Sequence, residues 1–402
     1  MTTRSSDPVK YPFVVHHDLS MDPRYRELQT KGAFKATLDY GEPVWIATSY
    51  DDVKLVYGDK RFVKELGHGH DLPRMIPQHI ADPSMIAHMD PPRHTRVRRL
   101  VLGSFSASKA RSMRGWMQAL VDETLDEMVA SGAPTDWVNG FAWPLPLRVA
   151  SGILGVPRAE APMFKGWIDE LLDNATPAER KAESLAKLLD YIRARIAERR
   201  DEPRDDLLSE MVRARDEDDQ LNEDELVSLS LALFLAGFET TAAQIANTMY
   251  VLLSRRELWE ELKGDPDVLD SALEELWRWI PAFRHGWPMI QWASEDIELS
   301  NGVVIPAGEP VLPEHQIANR DESKFVNGDQ IDFHRVDPDP HLSLAWGAHR
   351  CLGAHIAHLE IETTLQTLLD RLPDLELVTP VDDVKWSTAT LLRSPTELLV
   401  RW

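Results

Sequence analysis

The only cysteine of the chain, Cys351, stands in LAWGAHRCLGAHIAHLE, between a glycine-containing turn and a run in which Leu352, Ile356, Leu359 and Leu365 keep helical spacing. A lone thiol cannot form a disulfide within the chain. It is either a small buried apolar residue or a thiolate placed for chemistry. A helix start favours the thiolate, because unpaired backbone N–H groups and the helix dipole both stabilise negative charge there. Gly347 and Gly353 flank it, and small residues let a flat group approach the backbone. A thiolate presented this way suits iron held in a porphyrin.

Three further groupings could do chemistry. In LFLAGFETT, Ala236-Gly237 is a weak point inside an apolar helix, the glycine costing about 1 kcal/mol relative to alanine. Glu239 and Thr240 follow it, and an acid and a hydroxyl beside a slack helical turn could relay protons through ordered water. The same residues also fit a helix surface turning to solvent, with Thr240 bonding back to its own helix. In ALEELWRW, Glu275 and Arg278 stand three apart on one helical face. In MDPPRHTRVRRLV, His94 and Arg98 stand four apart and could grip carboxylates. Arg93, Arg96 and Arg99 make this the densest basic run in an acidic chain.

The elements that must position these groups are mostly helical. PVWIATS reads as a short strand and YDDVKLVYG as an amphipathic helix ending at Gly58. From Asp90 to about Asp270 the pattern is almost wholly helical. Strand signals return in IELSNGVVIPAGEPVLP, around Asn301-Gly302 and Ala307-Gly308, and the end, LLRSPTELLVRW, looks extended. No Pro/Gly/Ser-rich linker divides the chain, so one mainly α unit with a small β portion drawn from both ends is expected.

The composition narrows the function. The 402 residues are 43% hydrophobic, enough for a large core, and the formal charge of −22 disfavours a nucleic-acid surface. The N-terminus has no stretch fit for a signal peptide or membrane anchor, and the most apolar run, 226–238, is closed by Glu239. That run is expected to be a core helix rather than a span. One cysteine and no export signal point to the cytoplasm.

Taken in order, DPPRHTRVRR, AGFETT, EELWR, ANRD and GAHRCLG resemble the cytochrome P450 family in its soluble bacterial, actinomycete-like form. The resemblance runs from VWIATSYDDV to the terminal VRW. It implies a single domain over 1–402, with a β-rich minor part from about 30–60 and 290–315 plus the C-terminal strands. Haem b is expected between the long central helix and the Cys351 loop and helix, with Cys351 as the thiolate axial ligand of the iron. By position, His94, Arg98 and His349 match residues that hold the haem propionates, and Ala236, Gly237 and Gly353 line the haem. Glu239 and Thr240 match the acid–alcohol pair that handles protons, and Glu275 and Arg278 match a buried structural pair.

Three departures from the family pattern stand out. The family usually has an aromatic residue and then Gly where this chain has Leu344 and Ala345, and Trp346 follows. A family Arg is replaced by Gln291. The third member of the Glu–Arg network is commonly Arg, where this chain has Gln330, with Arg335 nearby as a substitute.

The resemblance implies a monooxygenase that takes O2 and electrons from a separate ferredoxin and ferredoxin reductase. The ferredoxin is expected to dock near Arg350 and some of Arg93, Arg96 and Arg99. Oxidative coupling of aromatic rings without oxygen insertion is the alternative within the family, and a non-catalytic haem sensor or carrier is the alternative outside it. A peroxide-driven variant would lack the acid–Thr pair, which is present. The substrate pocket is expected to draw on the 65–87 loop, Ala232, Leu235, the 283–290 segment with Phe283 and Trp287, and Leu391 and Leu392. With Trp292 also in that region, a bulky, partly aromatic substrate of secondary metabolism is expected.

Overall fold

The alternating run VWIA forms a strand, and Ser49 then caps the next helix by accepting from the Asp52 N–H. Both lie in a computed structural model that describes residues 8–13, 18–30, 32–75, 83–217, 220–284, 289–336, 339–388 and 390–402. In chain order, strands β1 (Val9–Lys10), β2 (Phe34–Thr37) and β3 (Val44–Ala47) precede helix α1 (Tyr50–Gly58) and β4 (Phe62–Val63). Next come α2 (Arg93–Leu102), β5 (Thr135–Asp136), α3 (Pro144–Leu154), α4 (Ala161–Leu172), α5 (Glu223–Ala236) and α6 (Glu239–Ser254). The rest of interest is α7 (Leu269–Trp279), β6 (Gln291–Ala293), β7 (Ile297–Glu298), β8 (Val304–Ile305), β9 (Pro310–Pro313), α8 (Ala354–Arg371), β10 (Glu376–Leu377) and β11 (Leu399–Arg401). The fold is mainly helical with small sheets, as the periodicity predicts.

The chain divides into two compact units. The first, built from residues up to 83, 87–90 and 274–351, holds a six-stranded sheet in the order β1-β2-β3-β9-β6-β4. β3 and β9 run parallel with Trp45 opposite Val311, and β6 runs antiparallel to both β9 and β4. One face buries Ile46, Trp292 and Leu312 with Tyr11 and Tyr25. The other buries Ala47, Ala293 and Val311 against Val53, Val56 and Tyr57 of α1. Each large aliphatic or aromatic side chain so buried contributes roughly 1.5–3 kcal/mol. β7 and β8 form a hairpin whose turn uses Gly302 at φ +78°.

The second unit, 84–86, 91–273 and 352–402, is helical. Within it, α5 and α6 form one apolar run from Glu223 to Ser254, long enough to cross a membrane, of which 67% of the most apolar window is buried. It is a core helix, as the closure at Glu239 predicts. It stops at Ala236 and resumes at Glu239, so the slack at Gly237 is a real interruption. One expectation is corrected: the C-terminal strand does not join the N-terminal strands. β11 pairs with β10 and β5 in a separate three-stranded sheet.

Candidate functional site

In the first unit, α7 places Glu275 and Arg278 one turn apart, both nearly inaccessible. Arg278 grips the Glu275 carboxylate with two N–H groups at 2.7 Å each. Its remaining donors reach the carbonyls of Asn319, Gly328 and Gln330 at 2.7–2.9 Å. Glu275 also accepts from Arg335 Nε at 3.1 Å and from the Asp332 N–H at 3.0 Å. Arg335 thus occupies the third position of the network, and Gln330 contributes only its main chain. A buried ion pair with every donor satisfied fixes a conformation more than it adds stability.

Asn319 carries this network to the cysteine loop. Its side chain accepts from the Leu342 N–H at 2.7 Å and donates to Ser343 Oγ at 2.8 Å. The motif ANRD contained it, but nothing in the sequence showed what it would hold. The loop then turns at Ala345, whose φ of +56° is left-handed, where the family usually has glycine. Leu344 offers its carbonyl to the Cys351 N–H at 2.8 Å. Trp346 packs on α1, with Lys54 Nζ 4.7 Å from its ring. The displaced aromatic therefore supports the loop from α1. Gly347, at φ +69°, lies so close to α1 that a Cβ would approach the Tyr57 carbonyl to 2.5 Å. His349 ends the short 3-10 turn that follows, and Cys351 is exposed. Gln291 is buried in β6 and brings no charge.

In the second unit, α2 buries His94 and leaves Arg98 half-buried. Arg93 and Arg96 bind Glu225 at 3.0 and 2.6 Å. Glu225 also forms a capping box with Asn222 at the start of α5. Although burial opposes ionisation, Arg96, the Asn222 N–H and Arg93 together hold its carboxyl down to about 2. Of the cations offered for docking, Arg93 and Arg96 are paired with Glu225, and Arg96, Arg99 and Arg350 are exposed.

At the interruption of α5 and α6, Thr240 Oγ1 donates to the Ala236 carbonyl at 3.0 Å. Glu239 beside it is buried, and burial, helped by Asp169 and opposed by Lys165, pushes its carboxyl up to about 8. It holds a proton at neutral pH. Lys165 and Asp169 were missed in the sequence, where a lysine and an aspartate four apart look like any surface pair. Glu360 on α8 was missed too. It is fully buried, its Oε1 has no hydrogen-bond partner among the described residues, and burial raises its carboxyl well above the usual range.

The expected pocket residues divide. Ala232 and Leu235 are half-buried on α5, Leu391 is half-buried and Leu392 is buried. Phe283 is half-buried, meeting the His315 ring edge-on at 6.3 Å. Trp287 lies outside the described residues, as does 76–82 of the 65–87 loop. Trp292 is a core residue of the sheet, 2% exposed.

These residues fit a haem. Among the described residues no group of three or more His, Cys, Asp or Glu could hold a bare metal ion. A single exposed thiol instead suits an axial ligand to iron already held by a porphyrin. Ala236 and Gly237 end the most apolar helix and yet are exposed, and a Cβ at Gly353 would meet only open space. An apolar disc needs such surfaces.

Thiolate-ligated haem together with a protonated acid and an alcohol is the chemistry of an oxygenase. The pattern of the cytochrome P450 family matches residues 13–269 and 265–400, and the chain belongs to that family. It is 42% identical over 400 residues to a mycinamicin IV hydroxylase/epoxidase of Micromonospora griseorubida, covering 99% of this chain and 100% of the relative. It is 38% identical to a nocardicin C N-oxygenase of Nocardia uniformis subsp. tsuyamanensis, covering 99% of each. A crystal structure of a cytochrome P450 with biaryl coupling reactivity superposes with a TM-score of 0.93 at 38% identity, covering 98% of this chain and all of that one. The protein is a cytochrome P450 monooxygenase with thiolate-ligated haem, and membership of the bacterial class implies redox partners and a small-molecule substrate.

Proposed function

We propose that the chain, read as one cytochrome P450 domain over 1–402, oxidises a bulky small molecule of secondary metabolism in the cytoplasm with electrons from a ferredoxin and its reductase. Support for the substrate class comes from the relatives, whose names give mycinamicin IV and nocardicin C. Bound haem supplies dioxygen activation, with the thiolate adding electron density. Cys351 is its ligand in this reading, and His94, Arg98 and His349 hold the propionates. Ala236, Gly237 and Gly353 leave room for the ring. Glu275, Arg278 and Arg335, through Asn319, brace the loop that carries the thiol. Glu239 gives up its proton and Thr240 Oγ1 orders the path it takes.

The observation that carries this reading is Glu239 itself, a buried and protonated acid next to a hydroxyl at a break in the helix. Screening ligands by haem spin state supplies a substrate. With it, Thr240→Ala should keep haem and ligand binding while product per reducing equivalent falls severalfold and peroxide rises. Unchanged coupling would reduce Thr240 to a helix residue. The similarity to a cytochrome P450 with biaryl coupling reactivity favours one second reading, oxidative aromatic coupling, which product masses distinguish from oxygen insertion. The aromatic character of the substrate rests on Phe283 among the described residues, since Trp292 belongs to the core.

A further inference from the structure

The six-stranded sheet of the first unit has a buried cation at one edge. β4 pairs with β6 so that Phe62 stands opposite Ala293 and Val63 opposite Trp292. The next positions on the two chains are Lys64 and Gln291. Lys64 is 8% exposed, and its ammonium donates to the carbonyl of Ile290, the residue just before Gln291, at 3.4 Å. Its side chain therefore runs back to the start of β6.

That start adjoins the sheet face on which the cysteine loop rests. Successive strand residues face opposite sides. Val63 and Trp292 belong to the face with Tyr11 and Tyr25, while Phe62 and Ala293 belong to the face with α1. Gln291 shares the α1 face by alternation, and Met289, two residues earlier, packs there too. The same cluster takes in Leu342, Ala345 and Trp346 of the loop that leads to Cys351.

The Lys64 ammonium is short of an acceptor. It has three donors, and buried charges are as a rule paired. Among the described residues its one hydrogen-bond acceptor is the Ile290 carbonyl, at long range. Asp90 attracts it, but that carboxylate accepts from the main-chain N–H groups of Lys64 and Glu65, each at 2.8 Å. Burial outweighs the attraction and lowers the ammonium to about 8. Neighbouring cations of the sheet are differently placed: Lys35 holds Glu309 at 2.7 Å, and Arg61 holds Asp59 at 2.6 Å. What Lys64 lacks is a carboxylate in contact.

We propose that Lys64 is a haem-binding residue whose ammonium pairs with a propionate carboxylate and makes good the charge that Gln291 does not bring. The assignment rests on haem binding at the Cys351 loop, and it adds a residue at the end of β4 to those already given to the propionates. Without haem the chain carries the cost of a poorly paired buried charge. A propionate relieves that cost, so a porphyrin with free carboxylates gains affinity that an esterified one does not.

Haem transfer from the holoenzyme to excess apomyoglobin, repeated after reconstitution with haem dimethyl ester, tests this. Lys64→Met should release haem about tenfold faster, as expected for losing a charged hydrogen bond, and should release the ester at the unsubstituted rate. Lys64→Arg should keep haem release slow. The red-shifted carbon monoxide band should persist in Lys64→Met, since the thiolate is untouched. Equal acceleration for both porphyrins would make Lys64 a structural residue and overturn the proposal. So would unchanged haem release joined to weaker spin-state binding of carboxylate-bearing ligands, which would turn the ammonium toward substrate. Absence of the red-shifted band from the unsubstituted holoenzyme would overturn the Cys351 reading, and this assignment with it.

Discussion

Glu275 and Glu239 are carboxylates of nearly equal burial, 3% and 5% exposed, in different parts of the chain. Glu275 is met by two guanidinium groups and a backbone N–H, which hold its carboxylate in place. Among the described residues the cation that acts on Glu239 is Lys165, itself bound to Asp169, and burial lets Glu239 keep a proton up to about pH 8. Burial alone therefore does not decide what a buried acid is for. Its partners do: full pairing makes a brace, and partial pairing makes a proton store. Glu225, held down to about 2 by Arg96 and Arg93, is a second brace, at the start of α5.

The comparison breaks most visibly at the brace. Glu275→Gln leaves Arg278 and Arg335 with uncompensated buried charge, which should cost roughly 3–5 kcal/mol in denaturant unfolding. Haem retention should fall with it, because Asn319 transmits the network to Leu342 and Ser343. A loss under about 1 kcal/mol would mean that the brace is not one.

Glu239→Gln should act in the opposite sense. The folded protein holds the Glu239 proton up to about pH 8, whereas an unfolded glutamate releases it above about 4.3. Folding takes up a proton between those values, so the native protein loses stability as pH rises through that window. Relative to native, Glu239→Gln should be close to neutral at pH 4 and more stable by on the order of 3 kcal/mol at pH 9, after allowing for partial solvent access. Urea unfolding at the two pH values reads the difference. Equal effects at both would show that Glu239 binds its proton no more tightly in the folded protein than in the unfolded chain.

Smallest is the turn at Ala345. Alanine at φ +56° is strained where glycine is not, so Ala345→Gly should raise stability by about 0.5–1 kcal/mol, visible as a higher unfolding midpoint. A decrease would mean that the methyl packs in HRCLG-loop contacts worth more than the strain.

Local patterns were readable before the structure. VWIA and YDDVKLVYG became the strand and helix they resemble, and the interruption at Gly237 followed from one glycine and the acid after it. Arg335 was legible as a stand-in for Gln330 because it lay nearby in sequence. Long-range pairings were not readable. One partner of β11 is β5, within the helical stretch and far from it in sequence, and strand pairing leaves no local mark. The ion pairs of Arg93 and Arg96 with Glu225 were not readable either, because the acceptor lies 132 and 129 residues away. Trp292 looked like a pocket residue by its neighbours in sequence, while the sheet turned it into the core.

The reading as a whole depends on the thiol. Reduced holoenzyme exposed to carbon monoxide should show the red-shifted Soret band of a thiolate-ligated complex, and Cys351→Ser should lose that band while still binding carbon monoxide. The protein has no other cysteine to take over. A Cys351→Ser protein that keeps the red-shifted band would contradict the assignment of Cys351 as the haem ligand.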